Sequence, residues 1–310
     1  MSKRERMNIG ILSFRALNRR FMMEEKRLGE EAEKRGHKVS MLRFQRCMMV
    51  FDGRNKLDIR YGYRRFPQLD VMIPRVSALT NVQIKIAIVE HLQLMRIPMV
   101  NNYDSILRAK SKLQTLQILS HYGIPVVRTA VVNTPKYLEQ AVSYIGEFPV
   151  IMKTIYGSYG DGVAIVESAR AAKSTYGILS ESLDTTNAIL LQQYIAESNG
   201  KDIRIFIVGG EFVASMERVA QDGDFRSNVG QGGSGQPYSP SPEEIHLAIR
   251  ATKALGLEIG GVDIIQTKNG PAIMEVNANP GFEELETVTG VNVAGSIIEF
   301  TERFVQEYVG

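Results

Sequence analysis

Three oxygen-bearing side chains near the C-terminus, Asp263, Glu275 and Asn277, have the types and spacing to hold a metal ion. They lie in GVDIIQTKNGPAIMEVNANPG, residues 261–281. Two apolar runs flank Lys268-Asn269-Gly270, residues suited to a three-residue hairpin loop. With that loop Asp263 faces Glu275, and because strand residues alternate faces, Asn277 lies on the same side as Glu275. Facing Cβ atoms approach to roughly 4.5–5.5 Å, and like charges so placed repel. A hard divalent cation removes the repulsion. Magnesium takes one or two carboxylates and completes its octahedron with water and substrate phosphates. The alternative, an acidic hairpin facing solvent, sits poorly with the apolar residues on either side.

Two further groups suit phosphate. The turn YGSYGDG, residues 156–162, has glycines at three positions and follows Lys153. Glycine permits a tight path whose N–H groups approach phosphate oxygens, and the lysine supplies a point charge. A plain hairpin connection explains the turn equally well when it is taken alone. Arg204, Arg218, Arg226 and Asn228 flank or occupy a glycine- and proline-rich loop over residues 223–242. Arginine forks match carboxylate and phosphate groups. By strict alternation across a Gly209-Gly210 turn, Arg204 faces Ser215 and Arg218 falls on the other side of the sheet, so a bulge is needed to bring both to one ligand. A loop of that length inside a compact domain suggests a lid.

Other chemistries lack support. Residues 230–235 fit G-x-G-x-x-G, but the prolines at 237, 240 and 242 exclude the helix that fingerprint needs. No G-x-x-x-x-G-K-[ST] and no G-x-S-x-G occurs. Cys47 is the sole cysteine, which rules out an internal disulfide and cysteine-built zinc sites, and the four histidines are scattered.

The elements that must carry these residues begin with alternating strands and helices over the first hundred positions: strands at 8–14, 38–44, 69–73 and 98–101, helices at 21–34 and 84–95. That pattern predicts a small open α/β sheet. Helices at 110–123, 135–145 and 169–183 and strands at 126–132, 149–154 and 163–166 then make an α+β lobe. Strands at 188–194, 203–208 and 211–219, a helix at 243–255, the hairpin and a last helix at 293–308 complete a third. The expected division is 1–107, 108–187 and 188–310. A net charge of +3 from 37 basic and 34 acidic side chains does not demand nucleic acid. No window approaches the ~18 apolar residues of a membrane span, and the basic start precedes too short an apolar run for a signal peptide. The expected address is cytoplasmic, with no membrane and no direct nucleic-acid partner.

Together these stretches resemble the ATP-grasp superfamily, and within it the RimK family of glutamate ligases, over roughly residues 7–306. The most specific segments are KDIRIFIVGGEFVASMERVAQDGDFRSNVGQGG, residues 201–233, and GVDIIQTKNGPAIMEVNANPGFEELETVTGVNVAG, residues 261–295. The resemblance implies an N-terminal α/β pre-ATP-grasp domain followed by two lobes that grip ATP. It implies phosphate contacts from Lys112 and Lys153 and a strand, Gln192-Gln193-Tyr194-Ile195, that reads the adenine edge, Gln193 standing where the family has an acidic residue. Asp202, Arg226, Ser227 and Asn228 match nucleotide-binding positions, with Lys153 and Arg226 the catalytic cations. Asp263, Glu275 and Asn277 match the ligands of magnesium, for which manganese is an alternative. Arg75 matches an acceptor-facing position, and Arg204 and Arg218 are assigned to substrate. The implied reaction joins L-glutamate or another amino acid to a carboxylate acceptor such as the C-terminus of a ribosomal protein, through an acyl phosphate. A homo-oligomer is the family habit. Attachment of an amino acid to a small cofactor or carrier, or a non-catalytic ATP-binding role, are the alternatives.

Overall fold

The computed structural model describes residues 6–51, 53, 56–76, 82–155, 162–181, 188–220 and 234–309. The apolar run at the start forms β1 (Asn8–Ser13), followed by α1 (Met23–Lys34) and β2 (Lys38–Arg43). A small antiparallel sheet comes next, β3 (Cys47–Phe51), β4 (Leu57–Tyr61) and β5 (Arg64–Arg65), which the sequence reading left unassigned. β6 (Val71–Arg75) then pairs with β1, giving a parallel sheet in the order β2-β1-β6. The expected strand at 98–101 contributes only an isolated bridge between Met72 and Met99.

Three helices follow: α2 (Val82–Leu94), α3 (Tyr103–Lys110) and α4 (Lys112–His121). A single helix was expected over 110–123. Instead Ser111 ends α3 and caps α4, its hydroxyl accepting from the Gln114 amide at 3.2 Å. β7 (Thr129–Val132), α5 (Leu138–Ile145), β8 (Val150–Thr154), β9 (Val163–Val166), α6 (Ala169–Glu181) and β10 (Ile189–Gln193) build an antiparallel sheet in the order β7-β10-β8-β9. Its own core includes Val132, Leu138, Val142, Val150 and Leu191.

The last sheet is the largest: β11 (Lys201–Val208), β12 (Glu211–Val219), β13 (Ser234–Pro237), β14 (Ile259–Thr267) and β15 (Gly270–Asn277), in the order β13-β12-β11-β14-β15. β13 falls inside the segment expected to be all loop. Helix α7 (Pro242–Leu255) precedes β14, and α8 (Glu283–Thr289) and α9 (Val293–Val309) follow β15. Gly209 and Gly210 close the β11–β12 hairpin at φ +58° and +77°, and a Cβ on Gly209 would clash with the Phe300 ring.

One apolar core runs from Met72 and Leu92 of the N-terminal sheet region to Ile205, Leu255 and Val262 of the last sheet. Burying side chains of this size contributes roughly 1.5–3 kcal/mol each. Asn101 ties the same two regions by polar contacts. Its Nδ2 donates to the carbonyls of Ile259 and Ala278, both at 2.8 Å, and its Oδ1 accepts from the amides of Glu258 and Ile259 at 2.7 and 2.8 Å. No described helix is long and apolar enough to cross a membrane.

Candidate functional site

The hairpin β14–β15 brings Asp263 opposite Glu275 as expected, by a different route. The turn has two residues, Lys268 and Asn269, since Thr267 already pairs with Gly270. That register would set Asp263 against Met274. A bulge at Met274, where the register shifts between Asp263 and Ile264, advances β15 by one and delivers Glu275 instead. Asn277, two residues on, pairs with Gly261.

A second bulge acts on the arginines. The ladder β11–β12 shifts between Phe206 and Ile207, leaving Val213 unpaired, so Arg204 faces Met216 rather than Ser215. The same shift puts Arg218, rather than Glu217, opposite Asp202. Arg204 in turn faces Asp263 across β14. One face of the sheet therefore carries a polar row across four strands: Arg218, Asp202, Arg204, Asp263 and Glu275.

Asp263 is the hub of that row. Arg204 grips it bidentately, Nε to Oδ1 and Nη2 to Oδ2, both at 2.8 Å. Arg218 Nη2 lies 2.9 Å from Oδ2 and its Nε donates to Asp202 Oδ1 at 2.6 Å. Burial alone would raise the Asp263 pKa, but Arg204 and Arg218 override it and hold the carboxyl below its usual range. For Arg218 burial works against the charge, and Asp263 and Asp202 reverse the balance and raise its pKa. From alternation alone Asp263 and Glu275 repel each other and need a metal between them. Two guanidiniums already neutralise Asp263, Arg204 through both of its contacts and Arg218 through Nη2.

Glu275 is different. It is half-buried and makes no hydrogen bond or ion pair with a described residue. Asn277 Nδ2 reaches Asp263 Oδ2 only at 3.4 Å. No group of three acidic, histidine or cysteine side chains able to hold a metal occurs among the described residues. The donors present are one free carboxylate, one amide whose oxygen a flip would present, and a carboxylate shared with two arginines. That set is too poor for an all-protein cage and fits magnesium, which leaves most of its shell to phosphates and water.

Across a cleft from Glu275 stand two lysines, and Lys110 on α3 is in electrostatic reach of the same carboxylate. The cleft is lined by Lys112, Lys153, Gln192 and Glu275 on a polar edge and by Leu116, Val126, Leu190 and Met274 among its apolar walls. Lys153, on β8, donates to Gln192 Oε1 at 2.6 Å, and Gln192 Nε2 donates to Thr129 Oγ1 at 3.1 Å. That chain fixes the ammonium toward the cleft. Burial pushes the Lys153 pKa down to about 8, with Glu275 opposing and Lys112 reinforcing the shift. Lys110 is also pushed down to about 8 by burial, Glu275 again opposing, with Lys112 and Arg75 adding to the fall.

Lys110 and Gln192 are the residues whose roles sequence reasoning did not single out. The signal for Lys110 was the helix break at Ser111, which sets Lys110 and Lys112 on either side of a junction. Gln193 pairs with Val150, and its amide donates to the Arg128 carbonyl at 2.9 Å, so that N–H is engaged within the sheet. Tyr194 is half-buried beyond the strand's end. Arg75 ends β6, is 4% exposed, donates from Nη2 to the Pro280 carbonyl at 3.1 Å and lies over Phe282. This places it three residues past Asn277. Arg226, Ser227, Asn228 and the turn at 156–161 lie outside the described residues.

A family model described as the RimK-like ATP-grasp domain matches residues 109–301. A second, the RimK PreATP-grasp domain, matches residues 7–106. The chain belongs to the RimK family of ATP-grasp ligases. This RimK-family chain is thus an ATP-dependent acid–amino-acid ligase with an ATP-grasp fold. It is 38% identical over 96% of both chains to a "Probable alpha-L-glutamate ligase" of Vibrio parahaemolyticus, and 37% identical over the same share to one of Coxiella burnetii. Its fold resembles that of a RimK domain ATP-grasp protein from Sphaerobacter thermophilus, with a TM-score of 0.74 and 22% identity over 94% of this chain and 98% of that one. It also resembles the ligase PsnB, solved with a precursor variant, Mg and ADP, with a TM-score of 0.71 at 15% identity over 96% of this chain and 98% of that one.

Proposed function

We propose that this RimK-family ligase adds L-glutamate to the C-terminal carboxylate of a protein, a small-subunit ribosomal protein being the acceptor, with ATP and magnesium and with manganese as a substitute metal. The observation that carries the reading is Glu275, a carboxylate without a described partner, set across one cleft from Lys112 and Lys153, with Lys110 in electrostatic reach of it. The names borne by the 37–38% identical relatives supply the amino acid. In this reading residues 1–107 receive the acceptor, and the lobes 108–187 and 188–310 close on the nucleotide.

The acceptor carboxylate oxygen attacks the γ-phosphorus of ATP, and ADP leaves. The glutamate amine then attacks the acyl carbon, loses a proton and expels phosphate, forming the amide. Phosphoryl transfer asks for positioning and charge neutralisation rather than covalent help. Lys153, oriented by Gln192 and Thr129, and Lys112 hold the phosphate oxygens. Glu275 and the Asn277 amide, with Asp263 behind them, would hold the metal, which would supply neutralisation of phosphate charge. Arg226, Ser227 and Asn228 are assigned to the nucleotide. Asp202 and Asp263 keep Arg218 and Arg204 in place along the row, and Arg75 turns the acceptor end toward Asn277. The apolar walls exclude water that would otherwise hydrolyse the acyl phosphate. A homo-oligomer accompanies this reading and is checked by light scattering.

The test follows ADP release with ATP, magnesium and each amino acid in turn, together with mass spectrometry of candidate acceptors. Glutamate-dependent turnover with one glutamyl increment on a peptide C-terminus is the expected result. Turnover with another amino acid only, or on small-molecule carboxylates only, would overturn it.

A further inference from the structure

The mild net charge conceals two opposite fields. Residues 1–107 carry 21 Lys and Arg against 11 Asp and Glu, whereas residues 108–310 carry 16 against 23. Part of the N-terminal surplus gathers at the carboxyl ends of β1 and β2, the edge where an open parallel sheet receives its ligands. The connection from β1 to α1 is pinned there by side chains. Arg43 donates from Nη1 to the Ala16 carbonyl at 3.1 Å and from Nη2 to that of Arg19 at 2.6 Å. Gln45 Nε2 donates to the Arg15 carbonyl at 2.7 Å, and Arg15 Nη1 to that of Arg20 at 3.3 Å. The Arg43 guanidinium also lies 4.1 Å from the Phe21 ring centroid.

On this fixed backbone Arg19, Arg20 and Lys26 are exposed, and none has an ion-pair partner among the described residues. An open recess lined by Arg19, Arg20, Lys26 and Arg43 has no carboxylate among its lining residues. Three exposed cations elsewhere, Lys173, Lys201 and Arg303, each pair with a carboxylate, Glu139, Glu217 and Glu211 in turn, whereas here three lie together without one. Gathering unpaired like charges costs self-repulsion, which an anionic partner relieves. We infer that this recess and its rim dock an acidic stretch of the acceptor polypeptide, holding it while its C-terminus reaches the ligation site. The inference rests on the proposed peptide acceptor and adds where that acceptor binds.

Two observations favour a peptide over a nucleic acid. β6 lies on the same sheet edge, with Arg75 paired to Ser13 and bonded to Pro280, so a chain lying along the edge runs from the basic loop toward Asn277. Single-stranded nucleic acid is held by open aromatic platforms. Here Phe21 lies under Arg43, and Phe14 stacks on Phe44 at 5.0 Å.

The test is fluorescence anisotropy of a labelled peptide with an acidic stretch and a free C-terminus, against its Gln/Asn counterpart, using the full chain. The charge reversal Arg19→Glu with Arg20→Glu is compared with Lys136→Glu with Lys253→Glu, an equal change in net charge elsewhere on the surface. The first pair should raise the Kd for the acidic peptide by at least about tenfold and the second should barely move it. Added salt should weaken wild-type binding. An unchanged Kd in the first pair, or equal shifts in both, overturns the inference. So does an RNA oligonucleotide of the same length that binds more tightly and displaces the peptide. Failure of the glutamate-ligase reading shows separately, as ADP release indifferent to glutamate while the binding results stand.

Discussion

Asp263 and Glu275 face each other across one ladder, yet the structure gives them opposite sensitivities to losing a charge. Asp263 has a side chain 4% exposed and sits between Arg204 at 13% and Arg218 at 3%. Asp263→Asn keeps the shape but removes the charge that both Arg204 and Arg218 hold. Removing one partner of a buried ion-pair network costs about 3–5 kcal/mol. At roughly 2–4 °C per kcal/mol, the melting temperature should fall on the order of 10 °C. Glu275→Gln removes a carboxylate with no described partner, so its melt should match or exceed the wild type while glutamate-dependent ADP release is lost. Thermal melts by circular dichroism, run beside the ADP assay, read both effects. The sign with pH follows from the lowered Asp263 pKa. Its contribution is complete above the unfolded aspartate value, near ~4, and is lost as pH falls from there through the folded value. The Asn variant should therefore be less sensitive to acid than the wild type. If Asp263→Asn melted with the wild type, or Glu275→Gln fell as far, the division of labour drawn here would be wrong.

Two further outcomes follow from the same geometry. Asn101→Ala deprives two buried carbonyls and two amides of their partners, and at about 1–3 kcal/mol per unsatisfied group it should lower the melting temperature more than any exposed substitution in the N-terminal region; an unchanged melt would mean water replaces the side chain. Lys153 and Lys110, with pKa values near 8, lose their charge as pH rises through that value, so calorimetric affinity for a non-hydrolysable ATP analogue should decline from pH 7 to 9. Lys153→Arg, which stays charged, should flatten that decline; an equally steep profile would remove Lys153 from the phosphate contacts.

The strands were legible where apolar runs are long. β1, β8, β9, β11, β12 and the metal-site hairpin lie close to where periodicity puts them, because their burial is decided by their own side chains. The sheet of β3, β4 and β5 was not legible, since Met48, Phe51 and the arginines at 64 and 65 are exposed and leave no alternating pattern. Pairing of residues was legible only up to bulges. Alternation alone cannot reveal that Val213 and Met274 drop out of their ladders, and both omissions fall where they change which charges meet. The role of Asp263 was half readable: its position followed from the hairpin, but its two arginines come from β11 and β12, in a register fixed only by the folded sheet. Lys110 stayed hidden because the break between α3 and α4 turns on one serine.

The Met274 bulge has a consequence for how this hairpin can change in length. A two-residue turn with one bulge and a three-residue turn with none place Asp263 against the same partner, so the two devices are interchangeable. A single-residue insertion between Lys268 and Asn269 can be absorbed by zipping Met274 back into the ladder, with Glu275 and Asn277 undisturbed. A single-residue deletion there has no such reserve. Length variation at the tip of this hairpin should thus be lopsided, with additions tolerated and losses purged.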